Sequence, residues 1–376
     1  MAKDINKDRF PEETKLKLEI FSECFREWFP VFIHNPYIKK VYIYDFFAGS
    51  GKDMDNELGS PLILLNEAKG DNCKYCNQSK ENNKTICFTF NEKEKVKQKM
   101  LIENIKQFMS NCLANNCKTN KCVYDYENYI QSEFKDVFQN NDFQNILNNS
   151  NFGKFILLDQ YGFSQVDEDI FLQLVNAPKT DFIFFISSSF IRRFKEHPAI
   201  KQYFDTAKIQ FDESKPKECH RQIAQYYRDI IPDNKEYYLH HFTIKKGTNY
   251  WGLIFGTNHT LGMEKFLKVC WTKDKLSGES NCNIDNDFQQ GTLFYNENET
   301  LKKQTIEADI RAKILSGEIS DNISGLKYTL QNGCLPELFT SIVKKSESEK
   351  KIKRTGELNF SSTNIHKVKQ YKISIL

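Results

Sequence analysis

From the start of the chain to about residue 285, short runs rich in β-branched and aromatic residues alternate with stretches whose apolar positions fall three or four apart. The first rhythm is that of strands and the second that of helices. An amphipathic helix is expected over about Thr14 to Phe29, followed by strands at VYIYDFF, ICFTFN, KCVYDY, KFILLD and DFIFFIS. Helical spacing fills the intervals near Ser60 to Ala68, Glu92 to Phe108, Glu127 to Phe138 and Asp167 to Asn176. Strand and helix in regular turn predict an α/β fold with a mainly parallel sheet, because parallel neighbours need a crossover. The stretch YYLHHFTIKKGTNYWGLIFGT then carries two strands about a Gly-containing turn, which predicts an antiparallel hairpin at one end of that sheet.

Past Asn286 the texture changes to a polar segment, a helix near Thr300 to Leu315, and a stretch in which Leu338, Phe339, Ile342 and Val343 share one apolar face. Two domains follow: residues 1–285, with cysteine-containing insertions near 70–85 and 110–122, and residues 286–376 as a small winged-helix-like module. The whole chain balances 53 Lys+Arg against 50 Asp+Glu for a net charge of +3, so no global attraction to a polyanion is expected. That near-neutrality conceals a basic end: Lys344, Lys345, Lys350, Lys351, Lys353, Arg354, Lys367, Lys369 and Lys372 face only Glu347, Glu349 and Glu357. It is either a solvated charged tail or a nucleic-acid contact beside the winged helix.

The 39% hydrophobic content with 31 Phe and 17 Tyr predicts a core built largely from rings. No run approaches the roughly 18 apolar residues of a membrane span, and MAKDINKDRFPEE has no apolar signal segment, so a cytoplasmic location is expected. In that compartment the 11 cysteines are thiols or metal ligands rather than a disulfide framework.

The first strand runs directly into a turn that reads Asp45-x-Phe47-x-Gly49-x-Gly51. Glycines there remove the Cβ atoms that would block a ligand from the strand end, and leave backbone N–H groups to grip it. A ligand-free strand-to-helix turn carries the same glycines. The pattern resembles motif I of S-adenosylmethionine (SAM)-dependent methyltransferases, particularly those acting on exocyclic amino groups of bases. That resemblance implies a class I methyltransferase-like Rossmann fold and a SAM site including Asp45, Phe47, Gly49 and Gly51. Glu92, just past the second strand, is placed either to accept both ribose hydroxyls or to stabilise a helix N-terminus. Asp125 is expected just past the third strand, as an adenine contact or as a helix cap. The fourth strand ends in Asp159-Gln160-Tyr161-Gly162, where the resemblance implies that Asp159 holds an amino group and Tyr161 stacks on the base. Gln160 stands where those enzymes have proline.

Several segments together resemble the three-Cys-motif partner protein family, TcmP. They are Tyr44 to Gly51, Gly59-Ser60-Pro61-Leu62, Asp159-Gln160-Tyr161-Gly162, Ser188 to Arg193, Leu253 to Trp271, and Tyr328-Thr329-Leu330 to Pro336. The resemblance implies a methyltransferase-like fold in bacterial, often mobile-element, contexts and a radical-SAM-like three-Cys-motif partner. Two functions are therefore carried forward. One is SAM-dependent amino-group methylation of a nucleic-acid base. The other is a catalytically inactive adaptor that binds the radical-SAM-like protein and nucleic acid.

Cys73-x-x-Cys76 lies before the second strand, and Cys112, Cys117 and Cys122 lie before the third. Both connections emerge on the sheet edge opposite the glycine turn. Cys73, Cys76, Cys117 and Cys122, with Cys112 as a substitute, either hold a structural Zn²⁺ or remain free thiols.

Overall fold

A long helix forms over Glu12–His34 (α1) because Leu18, Phe21, Phe25, Trp28 and Phe29 recur at helical spacing and bury one face, while Glu12 and Glu13 sit favourably in its first turn. The computed structural model describes residues 9–116, 122–288, 290–297, 299–356, 366 and 370–376. After α1 come β1 (Lys40–Asp45), α2 (Ser60–Lys69), α3 (Lys74–Glu81), β2 (Thr85–Asn91), α4 (Lys95–Asn116) and β3 (Asp125–Ile130). Next are α5 (Phe134–Gln139), α6 (Asn141–Leu147), β4 (Phe152–Leu158), α7 (Glu168–Asn176), β5 (Thr180–Ile186), α8 (Ser188–Arg193), α9 (Pro198–Lys201) and α10 (Cys219–Asp229). The hairpin is β6 (Tyr238–Lys246) and β7 (Asn249–Thr257), followed by α11 (Thr260–Lys273).

These strands form one seven-stranded sheet in the order β3-β2-β1-β4-β5-β7-β6. The pairs among β1 to β5 are parallel, and β7 runs antiparallel between β5 and β6. That is the class I methyltransferase-like Rossmann arrangement, and its strand order reverses between β1 and β4, where open α/β sheets take their ligands. Side chains of β1 alternate between two cores: Val41 and Ile43 join α1, α2 and α11 on one face, Tyr44 and Phe46 join α5, α6 and α7 on the other. Rings dominate both, with Phe25 stacked on Phe29 at 5.2 Å and Phe46 edge-on to Phe134 and Phe143.

One strand lies elsewhere than expected. KCVYDY is not the third strand: β3 begins at Asp125, which pairs with Cys87, and runs on to Ile130. Of the helix expected over Glu127 to Phe138, residues 127–130 are strand instead, and α5 starts only at Phe134. Tyrosines recur on both sides of Asp125, at Tyr124, Tyr126 and Tyr129, so the strand's bounds follow from pairing with β2 rather than from composition.

The C-terminal elements are α12 (Leu301–Leu315), α13 (Asn322–Gln331), α14 (Pro336–Ser348) and an antiparallel hairpin of β8 (Ile352–Gly356) and β9 (Tyr371–Ile375). An isolated bridge joins Asp321, at the start of α13, to Lys372 in β9. Leu326, Leu330, Phe339, Ile342 and Val343 belong to the same buried cluster as Phe266 and Cys270 of α11. Trp271 Nε1 donates to Gly333 O at 3.0 Å across that boundary. These elements thus share a continuous core with the sheet's α11 face. Among the described residues no helix is long and apolar enough to cross a membrane.

Candidate active site at the carboxyl edge of the sheet

The turn after β1 is held from three sides. Phe46 N donates to Leu157 O of β4 at 3.1 Å, Ala48 N to Asn91 O of β2 at 3.0 Å, and Gly59 N to Gly51 O at 2.8 Å. Gly49 and Gly51 adopt φ of +62° and +84°, where a side chain is strained. A Cβ on Gly59 would lie 3.0 Å from Gly51 O, so the Gly-Ser-Pro-Leu helix start packs directly against the glycine turn. Asn91 fastens the neighbouring strand ends, its Nδ2 donating to Phe46 O and Ser132 O, both at 3.1 Å.

Asp45 ends β1 at 1% exposure. Its Oδ1 accepts from Phe47 N at 3.2 Å, whereas Oδ2 is buried with no hydrogen-bond partner. Burial pushes its pKa up to about 7, against the opposing pull of the nearby Ser60 hydroxyl and the Phe47 N–H. Glu92 reaches back to the turn: Oε2 accepts from Gly49 N at 3.0 Å and Oε1 from Glu94 N at 2.8 Å. Each of its oxygens keeps acceptor capacity beyond that one bond. Phe47 is half-buried against Phe134, at 5.2 Å between centroids. Asp45, Phe47, Gly49, Gly51 and Glu92 are therefore gathered around one turn.

Asp125 is not with them. As the first residue of β3 it lies toward the amino edge beside Cys87, and the carboxyl end of that strand is formed by Ile130 and Ser132 instead. Its expected place past the strand follows from the misplaced strand bounds.

Asp159 stands at the end of β4, next to the glycine turn across the β1–β4 pairing. Its carboxylate accepts twice from Lys17 Nζ of α1, at 2.7 and 2.6 Å, and the two side chains are only 16% and 10% exposed. The Lys17 ammonium also lies 4.8 Å from the Phe185 ring centroid. Lys17 is the site residue that sequence reasoning missed. The available signal was a lysine on the buried stripe shared with Phe21, Cys24 and Trp28. Gln160, in place of proline, is buried and stiffens the loop differently: its Oε1 accepts from Gln165 N at 2.9 Å and Val166 N at 3.3 Å. Tyr161 is 71% exposed at the rim.

At the opposite edge, Cys76 and Cys122 both lie against Tyr124, whose hydroxyl donates to Ala68 O at 2.7 Å. Cys73 and Cys76 are buried, and Cys112 and Cys122 are half-buried. Cys117 lies outside the described residues. Among the described residues no group of three or more His, Cys, Asp or Glu is placed to hold a metal ion, so the expected zinc centre is not assembled there. The two cysteine segments meet around the Tyr124 ring instead.

No protein-family model matches the chain, the three-Cys-motif partner family included, and no curated protein matches it. Solved structures give distant likenesses. The O-methyltransferase TomG from Streptomyces achromogenes, in complex with SAM, is 7% identical with a TM-score of 0.30 over 66% of this chain and 90% of its own. Trm1 from Pyrococcus horikoshii, with S-adenosyl-L-methionine, is 8% identical with a TM-score of 0.37 over 96% of this chain and 91% of its own. At these scores the likeness carries no weight, and the fold assignment rests on the chain's own strand order.

Proposed function

We propose that this chain is a SAM-binding methyltransferase-like protein that acts on an exocyclic amino group of a nucleic-acid base. The observation that carries the reading is the buried Asp45 oxygen left without a partner beside a glycine turn, at the edge where strand order reverses. The residues present fit the cofactor. Gly49 and Gly51 let backbone approach it without Cβ atoms, Asp45 Oδ2 offers an unused acceptor, and Glu92 offers carboxylate acceptors to the ribose hydroxyls. When bound there, SAM supplies an electrophilic methyl group on a sulfonium.

The protein's own contribution is positioning. Asp159 accepts an N–H of the base amino group, which replaces one of its two contacts from Lys17, and the other contact from Lys17 holds the carboxylate in place. Tyr161, exposed at the rim, stacks on the base. The C-terminal helices with their hairpin form a winged-helix-like module whose exposed Lys344, Lys345, Lys351, Lys353 and Lys372 serve the phosphate backbone. Lys367 and Lys369 of the basic end lie outside the described residues.

One observation favours a second reading. The Lys17–Asp159 pair fills the acceptor position, as it would in a catalytically inactive adaptor that binds nucleic acid and a radical-SAM-like three-Cys-motif protein. Calorimetric titration with SAM and S-adenosylhomocysteine separates the two. Binding of both supports the methyltransferase, and absence of heat at millimolar ligand refutes it in favour of the adaptor. Asp159→Ala is expected to abolish methyl transfer to nucleic acid with SAM affinity nearly intact; loss of both removes Asp159 from the acceptor role.

A further inference from the structure

We infer that the contiguous rings of Phe163, Phe190 and Phe194 form a stacking surface for unpaired bases of single-stranded nucleic acid, flanking the base offered to Asp159. This deepens the nucleic-acid reading above and rests on it. Phe163 lies in the loop leaving β4, two residues beyond Tyr161, and Phe190 and Phe194 lie in and just after α8, which leaves β5. All three thus emerge from the same sheet edge as the glycine turn. Phe190 stacks on Phe163 at 5.5 Å with planes 19° apart, and Phe194 follows at 4.6 Å from Phe190. Tyr203 closes the row edge-on at 5.9 Å from Phe163, and Lys135 lies 5.6 Å from the Tyr203 centroid.

The row is open to solvent where packing could have covered it. Phe190 and Phe194 are 41% and 45% exposed. Single exposed rings are ordinary, but a continuous run of them beside a site marks a surface that something covers. Charge identifies the occupant. Arg192 and Arg193 lie between the two rings in sequence, and Lys195, Lys201 and Lys208 follow, against Glu196 and Asp205 within the same stretch. Glu213 answers Arg192 and Lys195, each at 2.9 Å, from a side chain 60% exposed that a phosphate can displace. Aromatic faces interleaved with arginine and lysine suit a polyanion with π-faces better than an apolar peptide. Bases stacked in a duplex present no free face to such rings, whereas unpaired bases do. The surface therefore selects unpaired strands.

The test is fluorescence anisotropy of labelled oligothymidine and oligouridine of about 12 nucleotides, each alone and annealed to its complement, on the full chain and on Phe190→Ala and Phe194→Ala. Each substitution is expected to weaken single-strand binding by about 5- to 100-fold, with thermal melting and the heat of SAM binding unchanged. Variants that bind like the native chain overturn the inference, as does a native chain that prefers the duplex. A concentration-dependent dimer of the native chain that Phe194→Ala abolishes, with strand binding unaltered, also overturns it in favour of self-association. SAM heat without single-strand binding refutes the stacking surface and spares the methyl-transfer reading. Ring-dependent strand binding without SAM heat supports the surface and refutes methyl transfer.

Discussion

Replacing Asp45 by asparagine should flatten a loss of stability that the native chain suffers as pH rises from about 5 to about 8. The folded state raises the pKa of this carboxyl from 3.8 to about 7, because the group is fully buried, with the nearby Asp159 and Glu92 carboxylates adding to the effect. The folded chain therefore holds this proton more tightly than the unfolded chain does. The resulting stabilisation is full below about pH 4 and is lost as pH rises through about 7. A shift of about three units at roughly 1.36 kcal/mol each amounts to about 4 kcal/mol, more than half of which falls between pH 5 and pH 8. The buried histidines act in the opposite sense. Burial lowers the pKa of His220 to about 3 and of His241 to about 4, so their contribution is lost as pH falls through the region below 6.5. The informative quantity is thus the difference between Asp45→Asn and the native chain, in which the histidines cancel. Urea unfolding followed by tryptophan fluorescence at half-unit pH steps measures it, provided the denaturant slope stays constant. A variant with the same pH dependence as the native chain would mean that folding does not raise this pKa, as when a donor satisfies Oδ2, and Oδ2 would then not be an unused acceptor beside the glycine turn.

Other outcomes follow from particular contacts. Lys17→Met leaves the Asp159 carboxylate buried and unpaired and should cost about 3 kcal/mol, with much of that recovered in Lys17→Met combined with Asp159→Asn; a coupling below about 0.5 kcal/mol in urea unfolding would show the pair to be screened by water. Gly51→Ala puts a side chain at φ +84° with its Cβ 3.2 Å from Leu101, so both the melting temperature and SAM affinity should drop, and an unchanged calorimetric titration would remove the turn from the binding site. Trp271→Phe deletes the hydrogen bond to Gly333 and should cost about 1 kcal/mol, with hydrogen exchange rising first in α13; exchange unaltered there would mean that the apolar contacts alone hold the C-terminal helices.

Much of the architecture is local information. The alternation of apolar and polar positions set the identity of most strands and helices, and the glycines after β1 marked the turn at the carboxyl edge, because each depends on residues a few positions apart. Asp45, Gly49 and Gly51 could be found this way, since one strand and one turn carry all three. Glu92 needed only the additional inference that neighbouring parallel strands end together.

Contacts between distant segments were another matter. Asp125 is placed differently because tyrosines recur on both sides of it and leave no mark of where pairing begins, and the partner strand decides it through the Cys87–Asp125 pairing. Lys17 reaches Asp159 across 142 residues, so its charge on an apolar stripe announced an exception without naming the partner. The C-terminal helices read as a separate module because their apolar face is complete in sequence, yet that face is buried in a core shared with α11. The amino-acid sequence alone thus determined the elements, their order and the glycine turn, through steric and hydrophobic rules that act over a turn or a strand. Only the tertiary structure decided which charges are neutralised, which carboxylate oxygen is left unpaired and which rings remain open, because each depends on what the rest of the chain brings within a few ångströms.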